Sequence, residues 1–199
     1  MRIFLVGASG TIGRAVAAEL GSRHDIVKGG SKSGDIRLDI TDPASIGAAF
    51  RKLGKVDAVV CAAGRVQFAP LDQLGAAGFE LGLKDKLMGQ VNLVLLGRDH
   101  VADGGSFTLT SGLLDRDPIR CGCSASMVNG AINSFCVAAA VELPRGLRIN
   151  AVCPGVLAES MKDFGPYFRG YQPVPGARVA LGYAKSVEGA QSGQVFRIE

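Results

Sequence analysis

The chain has 199 residues, of which 47% are hydrophobic and 20% are charged, with 28 glycines and a formal net charge of +4. This composition excludes intrinsic disorder, which requires low hydrophobicity and high net charge, and the glycines lack the three-residue period of collagen. The length is that of one domain, since domains usually have about 100–200 residues. Basic residues are spread along the chain without a block, so we expect no binding to nucleic acid.

Hydropathy and cysteine content bear on the cellular compartment. The longest unbroken apolar run spans residues 135–141, whereas a membrane helix needs roughly 20 apolar residues. The amino terminus becomes glycine-rich after four apolar positions and supplies no signal-peptide core. Five cysteines, an odd number without a secretion signal, indicate reduced thiols. We therefore expect a cytoplasmic protein that does not bind membranes.

Short apolar runs typical of strands alternate with longer segments of helical periodicity. In chain order, the sequence predicts a strand at 3–6, a helix at 11–20, strands at 25–28 and 36–39, a helix that starts at 41–43 and ends at Gly54, and a strand at 56–61. A mostly helical segment at 79–101, a strand at 106–110, a helix at 124–143, a strand at 147–153, a helix within 174–187 and a last strand at 194–198 follow. This alternation predicts an α/β fold, a single Rossmann-type domain over residues 1–199 with a doubly wound parallel sheet of about seven strands.

A glycine-rich turn joins the first predicted strand to the first predicted helix. Its sequence is Gly7-Ala8-Ser9-Gly10-Thr11-Ile12-Gly13, with the spacing G-x-x-G-x-x-G. A turn of this kind brings backbone N–H groups against a pyrophosphate at the helix N-terminus. Gly7 permits the tight turn, Gly10 permits close approach of the ligand, and Gly13 lets the helix pack on the strand. The turn predicts a dinucleotide site, and the alternative is a tight connection that binds no ligand.

The end of the second strand bears on which dinucleotide is bound. An acidic residue about 20 residues beyond the glycines would bind the ribose 2′-hydroxyl of NAD. The segment Lys28-Gly29-Gly30-Ser31-Lys32-Ser33 contains no acid. Arg14 follows the last glycine of the turn, and Lys32 is well placed for a 2′-phosphate. These residues favour NADP(H), and the alternative is that both are ordinary solvated charges.

Further motifs resemble those of the short-chain dehydrogenase/reductase family, over nearly the whole chain. The matching segments are the turn of Gly7 to Gly13, Asp39-Ile40, Cys61-Ala62-Ala63-Gly64, Thr110-Ser111, Arg148-Ile149-Asn150-Ala151-Val152-Cys153-Pro154-Gly155 and Gly193-Gln194-Val195. The resemblance implies that Asp39 contacts the adenine, that the strand end at Ala62 to Gly64 supports the cofactor, and that Pro154 and Gly155 lie near the nicotinamide. It also implies that Ser111 is the catalytic serine.

The tyrosine and lysine that transfer protons in this family are missing. In the family, a Tyr-x-x-x-Lys pair lies on the helix after the serine, often within a Tyr-Ser-Ala-Ser-Lys string. The string Cys123-Ser124-Ala125-Ser126-Met127 resembles it, which puts Cys123 at the tyrosine position and Met127 at the lysine position. None of the three tyrosines has a lysine four residues further on. The helical asparagine of the family's proton relay aligns with Lys86.

Two classes of function follow from the resemblance. One is an NADP(H)-dependent oxidoreductase of a small carbonyl or alcohol, with a non-standard relay of Ser111, Cys123 and Lys86. The other is a catalytically silent NADP(H)-binding sensor or scaffold. In the second case Cys123 only fills space, Ser111 only makes hydrogen bonds at a strand end, and Lys86 is solvated or faces another subunit.

The remaining expectations concern partners and metals. The family makes its subunit contacts through the helices that match segments 79–101 and 124–143, which implies a homodimer or homotetramer. Residues 156–174 stand where the family has its substrate loop, so we expect a small-molecule substrate there. The chain has two histidines and a Cys121-x-Cys123 pair that is not half of a zinc site, so we expect no metal centre.

Overall fold

Seven parallel strands form one sheet in the computed structural model, which describes residues 1–199. The strands are β1 (Arg2–Val6), β2 (Asp25–Gly30), β3 (Ile36–Arg37), β4 (Val56–Cys61), β5 (Val101–Thr110), β6 (Arg148–Pro154) and β7 (Val195–Ile198). Their spatial order is β3-β2-β1-β4-β5-β6-β7. The order reverses between β1 and β4, and ligands of such sheets bind outside the carboxyl ends of the strands at this reversal.

Helices cover both faces of the sheet. They are α1 (Thr11–Gly21), α2 (Pro43–Leu53), α3 (Leu71–Gly82), α4 (Gly89–Gly97), α5 (Cys123–Glu142), α6 (Met161–Phe164) and α7 (Gly176–Glu188), with a π-helical segment at Leu83–Met88. One buried cluster joins the sheet to α2, α4 and α5, and a second joins its other face to α1 and α7. The predicted α/β, doubly wound, single-domain fold with seven parallel strands is therefore confirmed.

The segment before β5 differs most from the sequence-based expectation. The sequence predicts a mostly helical segment at 79–101, whereas α3 already begins at Leu71, a π-helical segment separates it from α4, and β5 begins at Val101. Gly75 lies within α3 with a φ of +57° and marks a kink. Glycines have poor helix propensity, so the glycine-rich sequence of α3 hid this helix from a propensity-based prediction.

Helix α5 buries one face in the core and exposes another. By length and composition it is the one helix that could span a membrane, a property it shares with core helices of soluble proteins. Val128, Ile132 and Cys136 are fully buried, whereas Val137 and Val141 are 52% and 85% exposed. Within the single chain, α5 therefore has one buried face and one exposed apolar face.

A third, smaller cluster lies at the carboxyl edge of the sheet. Leu113, Leu114, Ala125, Val156 and Phe168 are buried together there. The segment 156–174 that contributes to this cluster is tied at its ends by a parallel bridge between Leu157 and Val174. This cluster forms a wall outside the main core, next to the strand ends where the cofactor site is expected.

Tyr183 is fully buried on α7, against the sheet face opposite α5. Its hydroxyl lies 2.5 Å from Thr110 Oγ1, which in turn donates to the Cys61 carbonyl oxygen. Because the threonine has one proton, the tyrosine must be the donor of their shared hydrogen bond. Burial raises the pKa of Tyr183 well above its usual range. This tyrosine is structural and cannot exchange protons with a substrate.

Tyr183→Phe removes a buried donor and should lower the free energy of unfolding by about 1–2 kcal/mol. Chemical denaturation measures this loss, and Tyr167→Phe, at a tyrosine that is 46% exposed, is the matched control without an expected effect. An unchanged denaturation midpoint for Tyr183→Phe would contradict the assigned hydrogen bond.

Candidate cofactor cleft and active site

The turn between β1 and α1 is packed so closely that only glycine fits at two of its positions. Gly7 has a φ of +85°, and a Cβ atom there would lie 2.7 Å from the Ala62 carbonyl oxygen. A Cβ atom on Gly13 would lie 2.1 Å from the Gly7 carbonyl oxygen. Gly10 begins α1 without a side-chain cap, so the first-turn N–H groups remain available to an anion. This turn fits the pyrophosphate of a dinucleotide.

A cleft of about 450 Å³ opens beside this turn. Its walls come from the turn, the ends of β2 and β4, and the loop after β3: Val6, Gly7, Ser9, Gly30, Ser31, Lys32, Leu38, Asp39, Ile40, Ala63, Gly64, Arg65 and Asp85. Seven of the predicted cofactor residues are therefore brought together: Gly7, Ser9, Lys32, Asp39, Ile40, Ala63 and Gly64. Gly10, Thr11, Gly13 and Ala62 belong to the adjoining turn and strand end, outside this lining.

Charged residues at the outer part of the cleft have fixed orientations. Asp39 Oδ1 accepts hydrogen bonds of 2.8 Å from the backbone N–H and the hydroxyl of Thr41, which hold the pKa of Asp39 below its usual value. Asp85 binds both the backbone N–H and the Nε of Arg65, at 2.9 and 2.8 Å. Arg65 was not singled out from the sequence, because nothing in its neighbours predicts the buried carboxylate 20 residues away that holds it.

Arg14 does not line the cleft. Its Nη1 donates to the Ser9 carbonyl oxygen at 2.6 Å, and its side chain is exposed. Of the two basic residues expected to select NADP(H), only Lys32 therefore lines the cleft, next to Ser31.

A second cavity of about 250 Å³ adjoins the cleft. Its lining is mostly apolar: Ile12, Val66, Phe68, Leu113, Leu114, Ala125, Pro154, Gly155, Val156, Leu157, Phe164 and Phe168. The polar side chains in the lining are Lys86, Ser111, Asn129 and Ser160. The predicted cofactor residues Ile12, Pro154 and Gly155 thus lie on this side, and segment 156–174 supplies much of the wall.

Lys86 lies between the cleft and the cavity. Its stem passes over Gly64, where an added Cβ atom would be 2.7 Å from Lys86 Cγ. Its Nζ donates to Asn129 Oδ1 at 2.7 Å and to the Ser111 carbonyl oxygen at 3.2 Å. Burial of the ammonium group lowers the pKa of Lys86 to about 8. The π-helical segment that carries Lys86 is a form of helix often found at functional sites.

Ser111 belongs to the lining of the cavity and has a buried hydroxyl group. The residue is 3% exposed, and its Oγ makes no hydrogen bond. The Cys153 thiol lies beside it, but a thiol is only a weak hydrogen-bonding group, and burial raises the pKa of this one. The backbone N–H of Ser111 donates to the Val152 carbonyl oxygen at 2.9 Å, which fixes the residue at the strand end.

The expected place of Cys123 in the relay is wrong. Cys123 is the exposed first residue of α5 and does not line the cavity, and Met127 is 41% exposed. The face of α5 that looks towards Ser111 carries Ala125 and, one turn later, Asn129. Ala125 and Asn129, rather than Cys123 and Met127, therefore line the cavity.

The hydrophobic periodicity of α5 indicates which of its residues lie on the buried face. Ala125, Val128, Asn129 and Ile132 follow the spacing i, i+3, i+4, i+7 of one buried face. Positions 123 and 127 fall off that face. An asparagine within an otherwise apolar buried face is also unusual, because buried amides need polar partners. These two observations together would have identified Asn129.

Comparison with known proteins defines the family. The sequence profile described as Enoyl-(Acyl carrier protein) reductase matches residues 8–191. The chain belongs to the short-chain dehydrogenase/reductase family. No curated protein matches the chain.

Among solved structures, the chain is similar to the protein lin1944 from Listeria innocua, with 47% identity and a TM-score of 0.99 over 100% of both chains. It is similar to a small-chain dehydrogenase in complex with NADPH, with 22% identity, a TM-score of 0.89, and coverage of 100% of this chain and 96% of that one. It is also similar to a short-chain dehydrogenase/reductase from Serratia marcescens, with 20% identity, a TM-score of 0.82, and coverage of 99% and 94%. The last two likenesses concern the fold alone.

Lys86 and Asn129 connect the helical segments that precede and follow Ser111 in the sequence. The resemblance implies a lysine on the helix after the serine and an asparagine on the preceding helix. Here Asn129 lies on the helix after Ser111 and Lys86 lies on the preceding helical segment, and their side chains contact each other. Lys86 therefore brings a cation to the cavity from the helical segment before Ser111.

Lys86 should make the stability of the protein depend on pH. The folded pKa is about 8, whereas unfolded lysine titrates near ~10.4. Between these values the unfolded chain binds more protons, so the free energy of unfolding rises with pH. Relative to Lys86→Met, the wild type should gain up to about 3 kcal/mol across this window, as measured by urea denaturation.

Lys84→Met is the matched control, since Lys84 is exposed on the same segment. This control should follow the wild type at every pH. Parallel stability curves for the wild type and Lys86→Met would contradict the buried position of the ammonium group.

Proposed function

We propose that this protein is an NADP(H)-dependent oxidoreductase that interconverts a small carbonyl compound and its alcohol. The observation that carries this proposal is the junction at Lys86, where a cleft fit for a dinucleotide meets an apolar cavity with polar groups at one end. Hydride transfer is chemistry that the bound nicotinamide supplies. The residues of the chain then have to bind, orient and protonate the substrate.

The choice of NADP(H) rests on the outer end of the cleft. Lys32 and Ser31 line it, and no acidic residue at the end of β2 competes for a ribose hydroxyl. Arg65 adds a second cation to the same cleft, fixed in place by Asp85. The complex of a similarly folded dehydrogenase with NADPH agrees with this choice.

Ser111 and Lys86 are the groups of the cavity that can act on a carbonyl oxygen. The Ser111 hydroxyl has no partner and can donate a hydrogen bond to that oxygen. The Lys86 ammonium, with a pKa of about 8, can provide the proton that the oxygen takes up after reduction. Asn129 is a positioning residue, because its Oδ1 holds the Lys86 Nζ. Cys123 has no role in this scheme.

A silent NADP(H)-binding sensor or scaffold is the second candidate. Ala125 favours it, because the position that faces Ser111 carries no acidic hydrogen. Both candidate functions use the cofactor cleft, so only a measurement of catalytic turnover distinguishes them.

Further parts of the proposal concern assembly and compartment. Leu95 and Leu96 on α4 and Val137 and Val141 on α5 expose apolar side chains, and a groove of about 230 Å³ lies between these helices. We infer a homodimer or homotetramer through α4 and α5, in the cytoplasm. A monomer in light scattering would contradict this assembly.

Lys32→Ala tests the choice of cofactor. Loss of a charge-assisted hydrogen bond to a 2′-phosphate should weaken NADPH binding by about 10-fold or more, since such bonds are worth about 1.5–3 kcal/mol. NADH binding should not change. Lys52→Ala, at an exposed residue of α2, is the control. Equal losses of NADPH and NADH binding would overturn the assignment of Lys32, and failure of the wild type to bind either would overturn the whole proposal.

NADPH consumption against a panel of carbonyl compounds tests catalysis. Ser111→Ala and Lys86→Met should each lower kcat by at least about 100-fold, the usual scale for losing a proton-transfer group. Ser111→Ala should still bind NADPH, and Cys123→Ala should turn over normally. NADPH binding without consumption of NADPH by any carbonyl compound would favour the sensor instead.

A further inference from the structure

The ammonium group of Lys86 is a half-buried cation without a counter-charge. Its two hydrogen-bond acceptors, Asn129 Oδ1 and the Ser111 carbonyl oxygen, are both neutral. The neighbouring carboxylate of Asp85 is engaged with Arg65 instead. Buried charges in proteins are normally paired or bind an ion. One N–H of this ammonium also remains without an acceptor, since an ammonium has three and two are used.

The Ser111 hydroxyl is a second donor without an acceptor, in the lining of the same cavity. Its residue is 3% exposed and its Oγ has no partner. Because Lys86 Nζ binds the carbonyl oxygen of this same residue, both donors lie at one end of the cavity. A buried polar group without a partner is costly, so each donor indicates an acceptor that a ligand brings.

The rest of the cavity indicates the shape of that ligand. Beyond the polar end, the wall consists of side chains such as Leu113, Val156, Phe164 and Phe168. No carboxylate lines the cavity. A ligand that satisfies this surface has two acceptor oxygens at one end, with a negative charge among them, and an apolar body of modest size.

We propose that the substrate is a 2-oxo acid with an apolar side chain, reduced to the corresponding 2-hydroxy acid. In a 2-oxo acid the carboxylate and the carbonyl are on neighbouring carbons, so their oxygens can share the free N–H of Lys86. The Ser111 hydroxyl then binds the carbonyl oxygen. This inference rests on the proposed oxidoreductase function and names its substrate class.

The reaction balances with the groups already named. The carbonyl carbon accepts a hydride, with its two electrons, from NADPH, which becomes NADP⁺. The carbonyl oxygen takes a proton from the Lys86 ammonium and becomes the hydroxyl of the product. Lys86 regains its proton from water, so the net reaction consumes one 2-oxo acid, one NADPH and one proton.

Matched pairs of compounds test this inference in the full-length protein. 4-Methyl-2-oxopentanoate and phenylpyruvate are compared with their methyl esters, which keep the carbonyl but lack the charge. With saturating NADPH, kcat/KM for each acid should exceed that of its ester by at least about 10-fold, the scale of one charged hydrogen bond. Binding of 4-methylpentanoate and of 4-methylpentanamide, measured by calorimetry with NADP⁺ present, should show the same preference without turnover.

Two variants assign the preference to Lys86. Lys86→Met should reduce the ratio of acid to amide affinity to about one, whereas Lys84→Met should keep the ratio of the wild type. Circular dichroism confirms that each variant is folded, and Lys86→Arg, which retains the charge, should keep part of the preference. A wild type that favours the amide, or a Lys86→Met variant that still favours the acid, would overturn the inference.

The same experiments distinguish failure of this inference from failure of the proposed function. Reduction of the esters without a preference for the acids would support the oxidoreductase function and contradict a 2-oxo acid as its substrate. Binding of 4-methylpentanoate through Lys86 without NADPH consumption would support a carboxylate-binding site. It would contradict both the proposed reaction and the proposed substrate class.

Discussion

The ammonium group of Lys86 is held at the junction of cleft and cavity by two neutral oxygens, and the arrangement of the site depends on this contact. The π-helical segment brings the lysine to the junction, and Gly64 leaves room for its stem. Asn129 on α5 and the end of β5 at Ser111 supply the acceptors. Elements from both sides of the strand ends therefore converge on one cation, which lines the cavity and packs against Gly64 of the cleft.

Such a cation is unfavourable for folding, because burial in an apolar wall disfavours the charged form. The free Ser111 hydroxyl adds a second unsatisfied group beside it. Two extended cores, on either face of the sheet, supply the apolar burial that makes the fold stable despite these groups. Features that cost stability and serve no packing role are expected at functional sites rather than elsewhere. Two such groups at one end of one cavity are the physical basis for a ligand there.

The sequence predicted the fold better than the site. Alternating periodicities were enough for the parallel sheet, and the spacing of the glycines was enough for the turn between β1 and α1. The structure gives the reason for that spacing, since Gly7 and Gly13 have no room for a side chain. Local similarity places Cys123 in the expected relay, whereas the face of α5 that lines the cavity carries Ala125 and Asn129. The contact of Lys86 with Asn129 joins residues 43 positions apart, and no local pattern could reveal it. Interactions between distant elements are what a single sequence conceals.

The ionisation of Lys86 tests the account most directly. NMR titration of the lysine side chains, with Lys86→Met to assign the signal, measures the pKa of this group in the folded protein. We predict a midpoint of about 8 in the free protein, and a higher midpoint when NADP⁺ and 4-methylpentanoate are bound, since a nearby anion favours the ammonium form. A midpoint near ~10.4, the value of a solvated lysine, would contradict a buried and unpaired cation.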